Sequence, residues 1–270
     1  MRAVAGILIA AAIWQAVVWL TALPPYLLPG PARVAETLIA ARVQMGRAAL
    51  HTAGEALAGL ALGAALGIAF ALAMAAWQAL GRALAPVLIV SQTIPIFVLA
   101  PILTLWLGFG HAPKVAMVVL LVFVPVAQSL YDGLMAPPAA QMDVARTMGA
   151  TRWAMLRHLR LPAALPRLAS GLRLGAIYAP VGAVIGEWVG GAHGLGALML
   201  QANGRMKTDL MFAALIAVIV LSLVLKIAMD RMLAWMLRRH GLADGQGPAA
   251  PGRSPSPEAR GPISLARTAR

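Results

Sequence analysis

The sequence predicts an all-α protein that crosses a membrane about six times. Of its 270 residues, 61 % are hydrophobic and only 11 % are charged, whereas soluble domains average about 25 % charged residues. A helix needs about 20 apolar residues to cross the hydrocarbon core of a bilayer. The stretches of that length are 3–22, 53–76, 85–107, 113–133, 171–190 and 210–236. Residues 1–240 are therefore expected to form one transmembrane domain.

The charged residues exclude several other classes of protein. The formal net charge is +13, but the basic residues lie between apolar stretches and not on a polar, groove-reading surface, so no nucleic-acid partner is predicted. The chain has no cysteine, its five histidines fall in separate loops, and it lacks a Walker-type phosphate loop. We expect no catalytic residue, metal or cofactor in this chain.

The first apolar stretch and the segment after it are expected to anchor the N-terminal region. Arg2 and Ala22 would also suit a secretory signal, but the apolar part is longer than the usual 7 to 15 or so residues, which favours an uncleaved anchor. Four prolines between 24 and 31 predict a rigid extended segment. A short amphipathic stretch follows over 33–44.

Small residues predict close helix packing in the second stretch. Gly59, Gly63 and Gly67 recur every four residues on one helix face, the spacing that lets another helix approach. Packing within one subunit is the expected role, and a seam between two copies is the alternative. Prolines interrupt several other stretches and predict kinked helices around a pathway. These are Pro95, Pro101, Pro125 and Pro180.

Polar side chains at membrane depth are candidates for lining that pathway. Facing lipid would cost such a group several kcal/mol, on the order of magnitude seen for buried polar groups, so these side chains are expected to face inward. The candidates are Gln92, Thr93, Gln128, Tyr178, Glu187 and Trp188, together with Ser91. Glu187 beside Trp188 would suit an organic ligand with a hydrogen-bonding or cationic group. Alternatively, Glu187 pairs with an arginine or a backbone donor and only holds helices together. Charged residues near span ends, such as Glu55 and Lys114, are assigned to snorkelling.

The most polar long loop, 137–162, predicts a helical hairpin. Pro137 and Pro138 suit a helix start, and Gly149 can adopt the left-handed conformation that ends a helix. Thr151 can cap a second helix, which would end at Pro162. Pro166 is expected to repeat this interruption before the chain returns to the bilayer.

The distribution of Lys and Arg predicts which side this loop faces. With the N terminus inside, the loop 134–173 and both chain ends carry more basic residues than the outside loops. Both termini and the loop 137–162 are thus expected in the cytoplasm. The five arginines of this region would also suit an interfacial helix held by anionic lipid. They are Arg146, Arg152, Arg157, Arg160 and Arg167.

The spacing of this loop resembles a known family. It reads Asp143-Val144-Ala145, three residues, Gly149, nine residues, Leu159, one residue, then Leu161-Pro162. This resembles the "EAA" loop of permease subunits of binding-protein-dependent ABC importers, which has Glu-Ala-Ala, Gly, Ile and Leu-Pro at the same spacing. The resemblance implies the type I permease fold of a multi-pass protein of the bacterial inner membrane. Asp143, Val144 and Leu159 are conservative departures.

The family also implies partners. They are a second copy of the chain, cytoplasmic ATPase subunits that bind ATP and Mg, and an extracytoplasmic substrate-binding protein. The loop would seat in a groove of the ATPase, so that ATP-driven closure rocks the permease halves. The rivals are a stand-alone secondary transporter or channel, which would need inverted repeats or an ion-coupling site, and a membrane-anchored nucleic-acid or lipid-binding protein.

The substrate is suggested by a second resemblance. The segment 182–215 looks like that of hydroxymethylpyrimidine or thiamine-precursor permeases, a branch close to the sulfonate, nitrate and taurine permeases. Residues 23–31 resemble the Leu-Pro-x-Pro motif of that sulfonate, nitrate and taurine group. An uncharged or weakly basic heteroaromatic ring would suit Glu187, Trp188 and Tyr178, whereas an ionised Glu187 would repel an oxyanion.

Residues 241–270, rich in Gly, Pro and Ser, are expected to be a disordered cytoplasmic tail.

Overall fold

The computed structural model describes residues 2–239, and within that range it contains helices and no strand. The helices are α1 (Arg2–Thr21), α2 (Pro31–Ala40), α3 (Arg42–Ala76), α4 (Gln78–Ser91), α5 (Ile96–Leu107), α6 (His111–Met135), α7 (Ala139–Thr147), α8 (Arg152–Met155), α9 (Leu161–Gly190), α10 (Leu195–Gly204) and α11 (Thr208–Arg239). A π-helical turn, Leu156–Arg160, joins α8 to α9. The all-α class is confirmed, and the predicted tail 241–270 lies outside the described residues.

The number of membrane crossings differs from the prediction. Among the described residues, four helical stretches are long and apolar enough to span a bilayer, and α4 with α5 adds a fifth if that bent pair is one span. The four are Arg42–Ala76, His111–Met135, Arg152–Gly190 and Thr208–Arg238. The first predicted span is helical, but its apolar part is the shorter stretch Leu8–Thr21. A count of six is therefore not confirmed.

The predicted span 85–107 is not one straight helix, because the chain bends by 102° between α4 and α5. The break falls over residues 92–95, where Pro95 precedes the first residue of α5. A proline disfavours helical conformation in the residue before it and has no N–H to donate, so the helix cannot run through Ile94 and Pro95. The polar run before Pro95 therefore marks a corner in the fold.

The predicted end of the loop at Pro162 is also wrong. The helical path continues from Arg152 to Gly190 without a break, and both Pro162 and Pro166 lie within α9. In the π-helical turn before Pro162, the Leu161 N–H donates to the Leu156 carbonyl, five residues back. This wider turn makes room for a proline ring that would clash with an ordinary α-helical carbonyl, so the interruption changes the turn and does not end the helix.

The core of the bundle forms where α6 and α9 pack on α3 and α11. Its buried side chains include Val118, Val122 and Val126 of α6. The glycines of α3 lie against these valines: a Cβ added to Gly63 would be 2.9 Å from the Val122 Cβ and 3.0 Å from the Val119 carbonyl oxygen. The prediction that Gly59, Gly63 and Gly67 pack helices within one subunit is confirmed.

The bundle has two ends, which position the features described next. At one end, called here the α10 end, α2 and α10 pack with the start of α3 and with α11 through Val34, Met45 and Leu195. At the other end, called here the loop end, α3 finishes at Ala76 and the loop 137–162 connects α6 to α9. The corner between α4 and α5 lies between them, beside the middle of α6 and α9.

Candidate functional site

A cavity of about 400 Å³ lies at the corner between α4 and α5. It is lined by Ser91, Gln92, Thr93, Ile94, Pro95, Ile96, Leu120, Leu121, Val124, Pro125, Leu174 and Tyr178. We call it the corner cavity. Three of the predicted pathway residues line it, the neighbours Gln92 and Thr93 and the distant Tyr178. Pro95 and Pro125, both predicted to kink helices around a pathway, also line it.

The corner cavity is polar but uncharged. None of its twelve lining residues carries a charge. The Ser91 and Thr93 hydroxyls donate to the carbonyls of Leu88 and Val90, both at 2.8 Å, so they offer a ligand mainly acceptor capacity. Gln92 offers an amide and Tyr178, 38 % exposed, offers a ring and a hydroxyl. Such a lining can stack on a flat ring and hydrogen-bond its edge.

The other three predicted pathway residues lie elsewhere. The Gln128 amide donates to Asp132 on its own helix, α6, at 3.3 Å, and its oxygen is buried without a partner among the described residues. Trp188 is half exposed and does not line the corner cavity. Glu187 does not line it either, so these three stay predictions as pathway residues.

Glu187 joins three helices at the α10 end. Its carboxylate is fully buried and accepts hydrogen bonds from the Thr52 hydroxyl at 2.7 Å and from the Gly196 N–H at 2.6 Å. Thr52 in turn accepts from the Leu195 N–H at 2.8 Å. The carboxylate thus satisfies a free N–H at the start of α10. In this structure Glu187 matches the alternative in which a backbone donor holds it in place.

A buried charged pair also lies near Glu187. The Lys114 ammonium donates to the Glu55 carboxylate at 2.9 Å, and both side chains are almost fully buried. His111 lies 2.8 Å from the same carboxylate oxygen. The assignment of Glu55 and Lys114 to snorkelling is wrong, because their charges meet each other inside the protein and do not reach outward. No sequence signal pairs two residues that stand 59 positions apart.

The histidines at the α10 end are gathered, not scattered. The ring centroids of His51 and His193 are 5.3 Å apart, and those of His51 and His111 are 6.4 Å apart. His51 and His193 line a cavity of about 690 Å³ together with Arg47 and two glutamines. Within residues 2–239, no group of three or more His, Cys, Asp or Glu residues is arranged to hold a metal ion. Their positions in loops at one end of the predicted spans could have indicated this grouping.

The loop 137–162 forms the predicted helical hairpin. The structure agrees with the prediction from the first helix through the turn to the start of the second helix. Gly149 has φ +78°, in the left-handed region, and its N–H donates to the Arg146 carbonyl at 2.9 Å. The Ala150 N–H donates to the Ala145 carbonyl at 3.0 Å, which completes the Schellman pattern of a helix end. The Thr151 hydroxyl accepts from the Ala154 N–H at 3.2 Å, so the predicted cap is confirmed.

The residues of the predicted coupling motif lie along this hairpin in different environments. Val144 is 58 % exposed, and Asp143 is exposed and forms a 2.9 Å ion pair with Arg146. Beyond the turn, Leu159 and Leu161 are half-buried, as is Pro162. Met148, four residues after Val144, is also exposed, as is Trp153 at the start of α8. The first helix therefore offers a free apolar face, and the second anchors the hairpin to the bundle.

The fold and this hairpin define a class of protein. Residues 62–240 match the family of binding-protein-dependent transport system inner membrane components, and the chain belongs to that family. It is a permease subunit of an ABC importer, as the resemblance of its loop implied.

Curated relatives agree with this assignment. A probable ABC transporter permease protein of Haemophilus influenzae is 42 % identical over 84 % of this chain and 91 % of that protein. A riboflavin transport system permease of Chloroflexus aurantiacus is 41 % identical over 78 % and 80 % of the two chains. A formylaminopyrimidine transport permease of Halalkalibacterium halodurans is 35 % identical over 67 % and 74 %.

A solved structure shares the fold. A chain of the MetNI methionine ABC transporter, solved in inward-facing conformations, superposes with a TM-score of 0.62 at 20 % identity. The match covers 72 % of this chain and 97 % of that chain. At this identity the likeness concerns the fold alone.

Proposed function

We propose that this chain forms the translocation path of an importer for a small, flat nitrogen heterocycle of the pyrimidine or thiamine-precursor type. The observation that carries the proposal is the corner cavity, whose lining combines hydrogen-bonding groups with an aromatic ring and has no charge. A sulfonate, taurine or nitrate anion would leave its charge unpaired in such a lining. The relatives named for riboflavin and formylaminopyrimidine, which both contain such a ring, are 41 % and 35 % identical, against 26 % for a taurine permease.

The corner between α4 and α5 supports a path through protein and not through lipid. Non-helical backbone at membrane depth is stable only where protein covers it or where it lines a water-filled cavity. In the single chain, Gln92, Thr93 and Ile94 at this corner are all exposed. A second copy of the chain would cover this corner and complete the walls of the path, which is the homodimer that the family resemblance implies.

The hairpin 137–162 is proposed to dock a cytoplasmic ATPase. Its apolar face, formed by Val144, Met148 and Trp153, is exposed, as a helix that seats in a groove requires. The Schellman turn at Gly149 and the continuous helix Arg152–Gly190 connect that face to the center of the bundle. A shift of the docked helix is thereby transmitted along α9 to Tyr178 beside the corner cavity.

The remaining parts of the proposal rest on the distribution of Lys and Arg and on the family. Both termini and the hairpin lie in the cytoplasm, the α10 end faces outward in a bacterial inner membrane, and a substrate-binding protein delivers the ligand there. ATP and Mg bind to the partner ATPase.

The test is ATPase activity of the full chain reconstituted in liposomes with its candidate ATPase and binding protein. Pyrimidines, thiamine, riboflavin, taurine, alkanesulfonates and nitrate are compared as ligands. We expect stimulation by an uncharged or weakly basic heterocycle. Stimulation by a sulfonate or nitrate alone would overturn the substrate class, and uptake that requires no ATP would overturn the ABC mechanism in favour of a secondary transporter.

A pair of variants connects this result to the corner cavity. Gln92→Ala removes a hydrogen-bonding group of the cavity, and Tyr178→Phe removes one hydroxyl while keeping the ring. Each should reduce transport about tenfold or less, the usual effect of one lost hydrogen bond of about 0.5–1.5 kcal/mol. The control is Gln201→Ala at the 690 Å³ cavity, because that side chain lies outside the corner cavity.

A further inference from the structure

Three arginines converge on a pocket at the loop end of the bundle. The pocket has a volume of about 360 Å³ and is lined by Arg146, Arg152, Arg160, Ala75, Ala76, Met155 and Leu156. We call it the arginine pocket. Its apolar floor includes the last two residues of α3, and its arginines come from α7, from α8 and from the π-helical turn. Its lining includes none of Val144, Met148 and Trp153, the exposed apolar residues that the proposed function assigns to the ATPase.

Two of the three arginines of this pocket have no acidic partner in the part of the chain that the structure describes. Arg146 pairs with Asp143, and that ion pair is exposed to solvent. Within residues 2–239, Arg152 and Arg160 have no acidic partner, and no acidic side chain lines the pocket. Guanidinium groups held around one space repel one another, and an anion placed between them would be stabilised by all of them. The pocket therefore has the chemistry of an anion site.

The position of the pocket indicates where the anion comes from. Helix α3, which is long and apolar enough to span a bilayer, ends at Ala76, and its last two residues form part of the pocket. We infer that the floor of the pocket lies near the edge of the hydrocarbon. Trp77 follows directly and is 66 % exposed, as is typical of a side chain at the level of lipid headgroups. A phosphate reaching the pocket at this depth can keep its acyl chains beside α3. We propose that the arginine pocket binds the phosphate of an anionic phospholipid headgroup.

Guanidinium geometry adds specificity to this site. The planar fork of arginine donates two parallel hydrogen bonds to phosphate oxygens, which lysine cannot do. A bound headgroup would connect the end of α3 to the base of the hairpin 137–162. The site is independent of which solute the importer carries.

The experiment measures lipid binding to the purified full chain in detergent by native mass spectrometry, with phosphatidylglycerol and phosphatidylcholine as probes. The test variant is Arg152→Gln with Arg160→Gln. The control is Arg82→Gln with Arg157→Gln, which removes the same charge from exposed arginines at the same end of the bundle that do not line the pocket. We expect the test variant to weaken the tightest phosphatidylglycerol site at least about tenfold and the control less than about twofold.

Several outcomes would overturn the proposal. Equal weakening of phosphatidylglycerol binding in both variants would show that the overall positive charge of this end, and not the pocket, binds the lipid. Equal binding of the two lipids would exclude headgroup charge as the determinant. Displacement by inorganic phosphate at a concentration equal to that of the lipid would make the pocket a site for free anions. Loss of the bound lipid when the candidate ATPase is added would assign the arginines to that protein's acidic side chains.

A third variant keeps the test decisive if the glutamine variant does not fold. Arg152→Lys with Arg160→Lys retains both charges and loses only the forked geometry. We expect phosphatidylglycerol binding to fall about threefold or more, with the affinity for phosphatidylcholine unchanged. Wild-type affinity in this lysine variant would contradict a pocket built for a phosphate group.

Discussion

Gly63, in the core between α3 and α6, and Gly149, in the hairpin 137–162, differ in what surrounds them. Gly63 lies in an ordinary helix, but an added Cβ would meet Val122 at 2.9 Å. Gly149 has nothing within 4 Å of such a Cβ, but its backbone has φ +78°. Space requires glycine in the core, and backbone conformation requires it in the loop. The two regions should therefore fail in different ways, the core by unfolding and the loop by losing its docking geometry.

The largest effect is expected from Gly63→Leu. The new side chain must push α3 away from α6, because the Val119 carbonyl and Val122 already fill the space. Overpacking of a tight core costs about 1–3 kcal/mol and more where backbone lies in the way. The thermal unfolding midpoint in detergent, followed by tryptophan fluorescence, should fall strongly. Gly54→Leu is the matched control, since Gly54 lies on the same helix with open space around it. A fall of the same size in both variants would contradict the packing argument.

A second test of the buried region is Glu187→Ala, which removes the carboxylate that connects α9 to α3 and α10. The buried Gly196 N–H would lose its acceptor, and the Thr52 hydroxyl would keep only the Ala48 carbonyl at 3.2 Å, at a cost of about 2–4 kcal/mol together with the cavity left by the side chain. The unfolding midpoint should fall, and α10 should become accessible to proteolysis first. Glu36→Ala, which removes an exposed carboxylate from α2, should leave the midpoint unchanged. A Glu187→Ala variant that keeps its stability but loses transport would instead support a role for Glu187 in the translocation pathway.

In the loop, Gly149→Val should reduce transport more than stability. A β-branched residue is strained at φ +78°, by about 1–2 kcal/mol or more, so the turn between α7 and α8 opens. Membrane insertion and the unfolding midpoint of the bundle should change little, while ATPase stimulation by substrate should fall. Gly149→Asn is the control, because asparagine tolerates the left-handed conformation. Unaltered transport in Gly149→Val would remove the coupling role of the hairpin.

The smallest effect is expected from Asp143→Asn. The ion pair with Arg146 is 2.9 Å long but solvent-exposed on both sides, so it contributes about 0.5 kcal/mol or less to stability. The unfolding midpoint should not move measurably. If Asp143 contacts the ATPase, the affinity of the permease for that subunit will fall in a pull-down titration. An unchanged affinity would limit the docking surface to the apolar side chains of α7.

Sequence reasoning succeeded where one element is decided by its own residues. The Gly149 turn and the Thr151 cap depend on backbone groups a few residues away. The glycine repeat of α3 depends on helical periodicity, which places every fourth residue on one face. It failed at Pro162, because the rule that proline ends a helix omits the option of a π-helical turn. Of the six predicted pathway residues, three line the corner cavity. Gln92 and Thr93 do so because they directly precede the break at Pro95, whereas Tyr178 is brought there by the packing of α9.

By itself, the sequence determined that this protein is an α-helical membrane protein with a basic hairpin, because composition, hydropathy and short-range spacing are enough for those features. That it is a permease came from the resemblance of the hairpin to a known family. Only the tertiary structure decided which polar groups meet. Glu187 accepts a hydrogen bond from Thr52, 135 positions away, and Lys114 forms an ion pair with Glu55, 59 positions away. A buried charge takes whatever partner the packed helices bring within about 3 Å, and the sequence does not encode that distance. The arginine pocket likewise exists only because the end of α3 lies under the hairpin.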